Sequence, residues 1–248
     1  MNNRVGSSPT NRTTSFMKVL MDTELLEQIK QWNIEEQLPP FIGGFQFIRK
    51  FSEEADGFYI ASYEWKEKGW QIHVLYDTVN SEFSLKIDMR FMEMTWINFI
   101  SEEFSLYKRE VEMKLANAID AAFVHPERNF NALFRAKELA EWDYASVLPQ
   151  QWNDFVRVVE PCHAIRVLNG SYIIGAYYHE GWNSALLLFY NVLRDDLFAE
   201  LRIHHVPKLV HDFDSAEVKE FEKKLRLHFD EVMTELQREA EQGVPVVS

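Results

Sequence analysis

Histidine and aspartate residues near the carboxyl end of the chain are the first candidates for chemistry. His204 and His205 are adjacent, and His211 and Asp212 follow a few positions later. Imidazole and carboxylate groups at the end of a strand and in the next loop could together bind a transition metal. One hypothesis is therefore a metal-assisted hydrolase that uses these four residues. Their spacing matches no zinc motif, and adjacent strand residues point to opposite faces, so exposed loop histidines are the alternative.

Cys162 is the only cysteine of the chain, and it stands next to His163. A thiol and an imidazole could act as nucleophile and base if they shared a hydrogen bond. Because neighbouring side chains on a strand diverge, a strand at this position would keep the two groups apart. We therefore expect Cys162 to be a small buried side chain. A single cysteine also excludes an intramolecular disulfide, which favours a reducing compartment.

Aromatic residues are concentrated at two predicted hairpins. Trp65 and Trp70 flank the first hairpin, and Tyr178 and Trp182 flank the second. Large rings at strand ends often bind partner proteins, so these four residues are the candidate partner-binding surface. The alternative is that they fill the cores of the two sheets.

Several motifs of enzymes are absent from the sequence. It contains no Gly-rich phosphate loop, no GxSxG elbow and no CxxC pair, and these are the motifs that bind nucleotides, activate serine or hold zinc in ribbons. We therefore expect no cofactor, and the sequence favours a protein that is not an enzyme.

The overall charge restricts the class of partner. The 248 residues carry a formal net charge of −13 at pH 7, which repels nucleic acids and anionic membrane surfaces. No apolar run approaches the roughly 20 residues of a membrane span. The expected partner is another protein or a second copy of the chain, and the expected location is the cytoplasm.

Hydrophobic periodicity predicts the elements that would position these residues. Apolar and polar residues alternate over 83–90, which predicts a strand with one apolar face and one charged face. Residues 182–190 are apolar on both faces, so we expect the second sheet to be covered on both sides. A short helix is predicted at 131–142. His204 and His205 are predicted to end a strand, and His211 and Asp212 are predicted to lie on a linker before the last helix.

The two halves of the chain resemble each other. Leu197 stands 114 positions after Phe83, and the same offset aligns Tyr107 with Phe221 at the start of two amphipathic helices. The order of predicted elements also matches, which indicates an internal duplication. A single irregular α+β domain, whose halves merely obey the same periodicities, is the alternative.

The predicted fold is therefore α+β, with two tandem copies of an antiparallel meander of about four strands. A long amphipathic helix follows each meander, and the copies pack with pseudo-twofold symmetry. The expected organisation is a disordered leader (1–21), a first module (22–124), a linker (125–130), a second module (131–242) and a frayed tail (243–248). This organisation favours non-enzymatic protein binding or regulation through the surface between the modules.

Overall fold

A computed structural model describes residues 22–167 and 170–243. The expected leader and all but the first residue of the expected tail lie outside the described residues. The protein is an α+β protein with two antiparallel sheets. Its helices are α1 (Thr23–Lys30), α2 (Ile34–Gln37), α3 (Phe104–Ile119), α4 (Ala132–Ala136) and α5 (Val218–Gln242).

The first sheet follows the order of the chain. Within the described residues its strands are β1 (Phe41–Ile42), β2 (Phe45–Glu53), β3 (Gly57–Trp65), β4 (Trp70–Asp77), β5 (Glu82–Asp88) and β6 (Glu93–Thr95). Each strand pairs antiparallel with the next one. Short turns between consecutive strands explain why neighbours in sequence are also neighbours in the sheet.

The second sheet is also antiparallel. In the part of the chain that the structure describes, its strands are β7 (Gln151–Trp152), β8 (Phe155–Val159), β9 (Ile165–Arg166), β10 (Ser171–His179), β11 (Ser184–Asn191), β12 (Asp196–Ile203) and β13 (Val206–Ser215). Their order is β13-β12-β11-β10-β8-β7, and β9 pairs with β10 as well. The strands β10 and β11 are therefore central, whereas β13 lies at one edge.

Helix α3 covers one face of the first sheet through the apolar stripe that the sequence predicts. Tyr107, Val111 and Leu115 are fully buried, and each such side chain stabilises the fold by roughly 1.5–3 kcal/mol. The Tyr107 ring stacks on Phe83 of β5 at a centroid distance of 5.1 Å. Its hydroxyl donates a 2.6 Å hydrogen bond to the Ser84 carbonyl, which satisfies the one polar group of the stripe.

The central strands β10 and β11 of the second sheet are buried on both faces. Every residue of β11 is buried. Leu186 and Tyr190 share a core with Phe221 and other residues of α5, whereas Leu187 and Phe189 share a core with residues of α3 and the first sheet. The expected coverage on both sides is therefore confirmed, and the first half of the chain provides one of the two covers.

Two elements differ from their predictions. The helix expected at 131–142 is only α4, and Glu138 adopts a left-handed φ of 52° that an α-helix cannot continue through. The linker expected around His211 and Asp212 is part of the strand β13. His204 and His205 both have positive φ values of 49° and 69°, as a tight hairpin turn requires, and the turn brings the following residues back along β12.

Candidate functional site

A cleft of about 440 Å³ lies between the two sheets, where the β3–β4 hairpin faces the β10–β11 hairpin. Trp70 and Phe91 of the first half and Tyr178 of the second contribute buried rings to its lining. The Phe91 and Tyr178 rings meet at a centroid distance of 6.5 Å. Val156 and Val158 of β8 add an aliphatic wall. Because both halves supply the lining, the cleft exists only when they are packed together.

The rim of the cleft carries charges of both signs. Glu67, Lys68 and Arg90 come from the first half, and Asp154 and Glu180 come from the second. The Arg90 guanidinium lies 2.9 Å from a Glu180 carboxylate oxygen, so this ion pair joins the halves at the mouth of the cleft. Both side chains are exposed, and such pairs contribute about 0–1 kcal/mol. An apolar floor inside a charged rim is the usual anatomy of a protein-binding surface.

Gly69 allows the Arg90 side chain to reach its position. The glycine has a φ of +65°, and a Cβ there would lie 2.3 Å from Arg90 Nε. Any larger residue at position 69 would therefore strain the backbone and displace the Arg90 guanidinium from the rim.

The first predicted aromatic pair lies partly in the cleft. Trp70 lines it, whereas Trp65 packs beside it against Phe45 and Trp70, at ring distances of 5.3 and 6.2 Å. The Lys68 ammonium lies 4.4 Å from the Trp65 ring centroid and 4.3 Å from that of Trp70. The side chain reaches the surface, but the two rings shield the ammonium from water, and this desolvation lowers the pKa of Lys68.

The second predicted pair is divided in the same way. Tyr178 lines the cleft, and its hydroxyl donates to the Asn183 side chain at 2.9 Å. Trp182 lies in the 3₁₀ turn after β10, where its ring stacks on His179 at 3.9 Å. Trp65 and Trp182 thus hold the rim residues Lys68 and His179 in place without lining the cleft themselves.

Sequence reasoning did not identify several residues that line the cleft. Phe91 follows β5 as an ordinary core residue, and Arg90 resembles any exposed charge. Val156 had a detectable signal, because Phe155, Val156, Val158 and Val159 place apolar residues on both faces of β8 around Arg157. That signal indicates a strand that is covered on both sides. It does not show that the residues packed over the second side leave 43% of Val156 exposed.

The four residues of the metal hypothesis do not share one site. His204 and His205 form the β12–β13 turn. His211 and Asp212 lie further along β13, beyond Val210. The extended chain between them and His205 separates the two pairs by more than ~10 Å. His211 Nδ1 instead lies 2.8 Å from Asp214 Oδ2.

A different group of metal-binding residues does come together after β8. The Glu160 carboxylate, the Cys162 thiol and the His163 imidazole have ligand atoms within 4.8 Å of one another. Cys162 Sγ lies 3.4 Å from His163 Nδ1 and 4.0 Å from Glu160 Oε2. The expectation that Cys162 and His163 diverge is wrong, because Pro161–His163 is a 3₁₀ turn and not a strand.

Arg157 and Tyr144 hold the Glu160 carboxylate in this group. Arg157 is buried, and it donates to Glu160 Oε1 at 3.2 Å and to Gln150 Oε1 at 2.8 Å. Burial, together with the Glu160 carboxylate to which the hydroxyl donates, raises the pKa of Tyr144 to about 12. The Arg157 guanidinium also lies 4.8 Å from the Tyr144 ring centroid. The carboxylate therefore has fixed partners on one side.

Comparison with known proteins gives no family. The chain matches no protein-family model, no curated protein and no solved structure. No helix within residues 22–167 and 170–243 combines the length and the hydropathy that crossing a membrane requires.

Proposed function

We propose that the protein is a non-enzymatic binding protein that receives a segment of a partner protein in the cleft between its sheets. The supporting observation is the apolar lining from both halves inside a rim of mixed charge. Val156 is the most telling residue, since it leaves 43% of its surface exposed inside a concave site. A partner side chain that covered it would gain about 25 cal/mol for each Å² of apolar surface removed from water.

The dimensions of the cleft favour a peptide segment over a folded domain. Sites of roughly 300–1,000 Å³ enclose a few side chains or a small ligand, and this cleft has about 440 Å³. Acidic groups such as Glu67, Asp154 and Glu180 stand at its rim, and the chain has a net charge of −13. We therefore propose a segment with apolar anchors and flanking basic residues, and not a nucleic acid.

We also propose that the two halves derive from one duplicated module, with 22–124 and 131–242 packed about a pseudo-twofold axis. The strands support this, because β3 and β10 have nine residues each and β4 and β11 have eight. A long helix follows each meander. On this proposal the cleft is the seam between the copies. The single cysteine supports a cytoplasmic location for the binding function.

Crosslinking from inside the cleft tests the binding proposal. A photoreactive amino acid placed at Val156 should crosslink one protein in cells that express the chain. The matched control places the same group at Val79, which is 69% exposed in the β4–β5 turn and outside the cleft lining. Val156→Arg should also prevent capture of that protein, whereas Val79→Arg should not. Identical crosslinks from both positions, or capture that survives Val156→Arg, would contradict the proposal.

Self-association is the competing outcome of this experiment. A crosslink at Val156 to a second copy of the chain would reveal it, together with a doubled mass in solution. Pairing between β13 edges is disfavoured, because Pro207 and Lys208 lie on this strand and its pairing with β12 is irregular between Leu197 and Ala199. Proline, lysine and irregular pairing at an edge all discourage the addition of another strand.

A further inference from the structure

We propose that Glu160, Cys162 and His163 form a binding site for a thiophilic divalent cation, with Zn²⁺ as the best-fitting ion. These residues supply three different ligands of zinc: a carboxylate oxygen, a thiolate sulfur and an imidazole nitrogen. Their ligand atoms converge after β8, outside the lining of the cleft. The site does not use the apolar lining of the cleft, although the Lys68 ammonium at the cleft rim interacts electrostatically with Glu160.

The separations of the ligand atoms fit a tetrahedral ion. Zinc binds sulfur at about 2.3 Å and nitrogen or oxygen at about 2.0–2.1 Å, so tetrahedral ligand atoms lie about 3.5 Å apart. The distance from Cys162 Sγ to His163 Nδ1 is 3.4 Å, and the distance to Glu160 Oε2 is 4.0 Å. The ligand atoms of His163 and Glu160 lie within 4.8 Å of each other, so side-chain rotations that shorten this separation would place all three atoms around one ion. The 3₁₀ turn Pro161–His163 makes this possible, because its adjacent side chains are only about 120° apart around the turn, whereas those of a strand point to opposite faces.

The partners of Glu160 suit a metal ligand. Arg157 and Tyr144 position the carboxylate, and Arg157 contacts Oε1, which leaves Oε2 directed toward the thiol. Carboxylates that bind metals are commonly held by such outer hydrogen bonds. Arg157 is itself anchored by the carbonyl oxygen of Leu148.

The site favours a soft ion and has an open side. His163 is exposed and Cys162 is half-buried, so an ion can enter from solvent and keep a fourth position for water or another ligand. Arg157 and Lys68 both interact with Glu160 and oppose the charge of a bound metal, and the negative charges of the carboxylate and the thiolate offset these cations. Mg²⁺ and Ca²⁺ require oxygen ligands, whereas a thiolate selects ions such as Zn²⁺ or Co²⁺.

Cobalt titration tests the proposal, because Co²⁺ reports its own ligands spectroscopically. The chain has one cysteine, so any sulfur-to-cobalt charge-transfer band can come only from Cys162. With a reductant that lacks thiols, the band should saturate at one Co²⁺ per chain, and Zn²⁺ but not Mg²⁺ should remove it. Cys162→Ala should abolish the band. Glu160→Gln should weaken Zn²⁺ binding by at least ~10-fold, since even outer hydrogen-bond partners contribute 10–100-fold.

His211→Ala is the matched control, because it removes an exposed histidine that pairs with Asp214 in another part of the fold. This variant should keep the cobalt band and the Zn²⁺ affinity of the parent protein. Circular dichroism should show that each variant is folded, and Cys162→Ser replaces Cys162→Ala if the latter is not. The proposal is overturned by the absence of a band at stoichiometric Co²⁺, by one ion shared between two chains, or by unchanged Zn²⁺ affinity in the cysteine variant.

Discussion

His73 is a buried histidine that the fold holds in an unfavourable environment for a charge. It lies on β4 with its ring 5.0 Å from that of Tyr59, and within the described residues its buried Nδ1 has no hydrogen-bond partner. Burial lowers the pKa of His73 below the ordinary value of 6.5. The charged groups around it have smaller and opposing effects: Asp88 and Glu64 raise the pKa, whereas Lys50 and Lys86 lower it.

The lowered pKa of His73 predicts a loss of stability in weak acid. Below pH 6.5 the unfolded chain binds a proton on this histidine, whereas the folded chain resists protonation. The free energy of unfolding therefore decreases as the pH is lowered, until the pH passes the lowered pKa of the folded state. Denaturant unfolding at a series of pH values measures the effect. His73→Leu should reduce this slope. Equal slopes in the parent and His73→Leu would show that other groups cause the acid sensitivity.

At the scale of elements, α5 shows what an amphipathic pattern determines. The stripe expected from the sequence, Phe221, Leu225, Phe229 and Met233, is buried against the second sheet. Periodicity identifies such a helix because residues three and four apart share a face. The sheet that receives this face is built from residues that precede the helix, so both partners are close in sequence.

Two leucines of α5 provide a matched test of this packing. Leu225 is fully buried, whereas Leu227 on the same helix is 70% exposed. Leu225→Ala should lower the free energy of unfolding by about 2–5 kcal/mol through lost burial and the cavity left behind. Leu227→Ala should change it by less than about 0.5 kcal/mol. Denaturant titration gives both values, and similar losses for the two variants would mean that α5 does not pack as described.

At the scale of the whole molecule, the two halves share a core. Leu187 and Phe189 of β11 belong to the same cluster as Val111 and Leu115 of α3. Separating the halves would therefore expose the face of β11 that holds these residues to water. That cost links the stability of one half to that of the other, although each half has its own sheet.

This shared core predicts a single unfolding transition. In scanning calorimetry the ratio of the calorimetric to the van't Hoff enthalpy should be about 1, as for a two-state protein. Leu115→Ala in the first half and Leu225→Ala in the second should each move the entire transition to lower temperature. Two resolved transitions, with each variant shifting only one of them, would show that the modules unfold independently.

The sequence by itself determined the features that depend on burying one face of a local segment. The stripes of α3 and α5, the alternation in β5 and the two apolar faces of β11 all follow from periodicity, and the structure contains each of them. Strand β13 was missed because edge strands remain largely exposed and so lack a strong alternation of apolar residues. The turn before β13 was missed as well, because its two positive-φ residues, His204 and His205, are not of the types that predict such a turn.

Only the tertiary structure decided where the cleft and the group of Glu160, Cys162 and His163 lie. The cleft joins residues such as Trp70 and Tyr178 that are far apart in sequence, so its existence depends on how the halves pack. The Cys162–His163 contact depends on a turn in place of the predicted strand. Local patterns report which faces are buried, whereas a site is a set of side chains from separate segments. Their convergence is fixed by the packing of a whole core and not by the spacing within any one element.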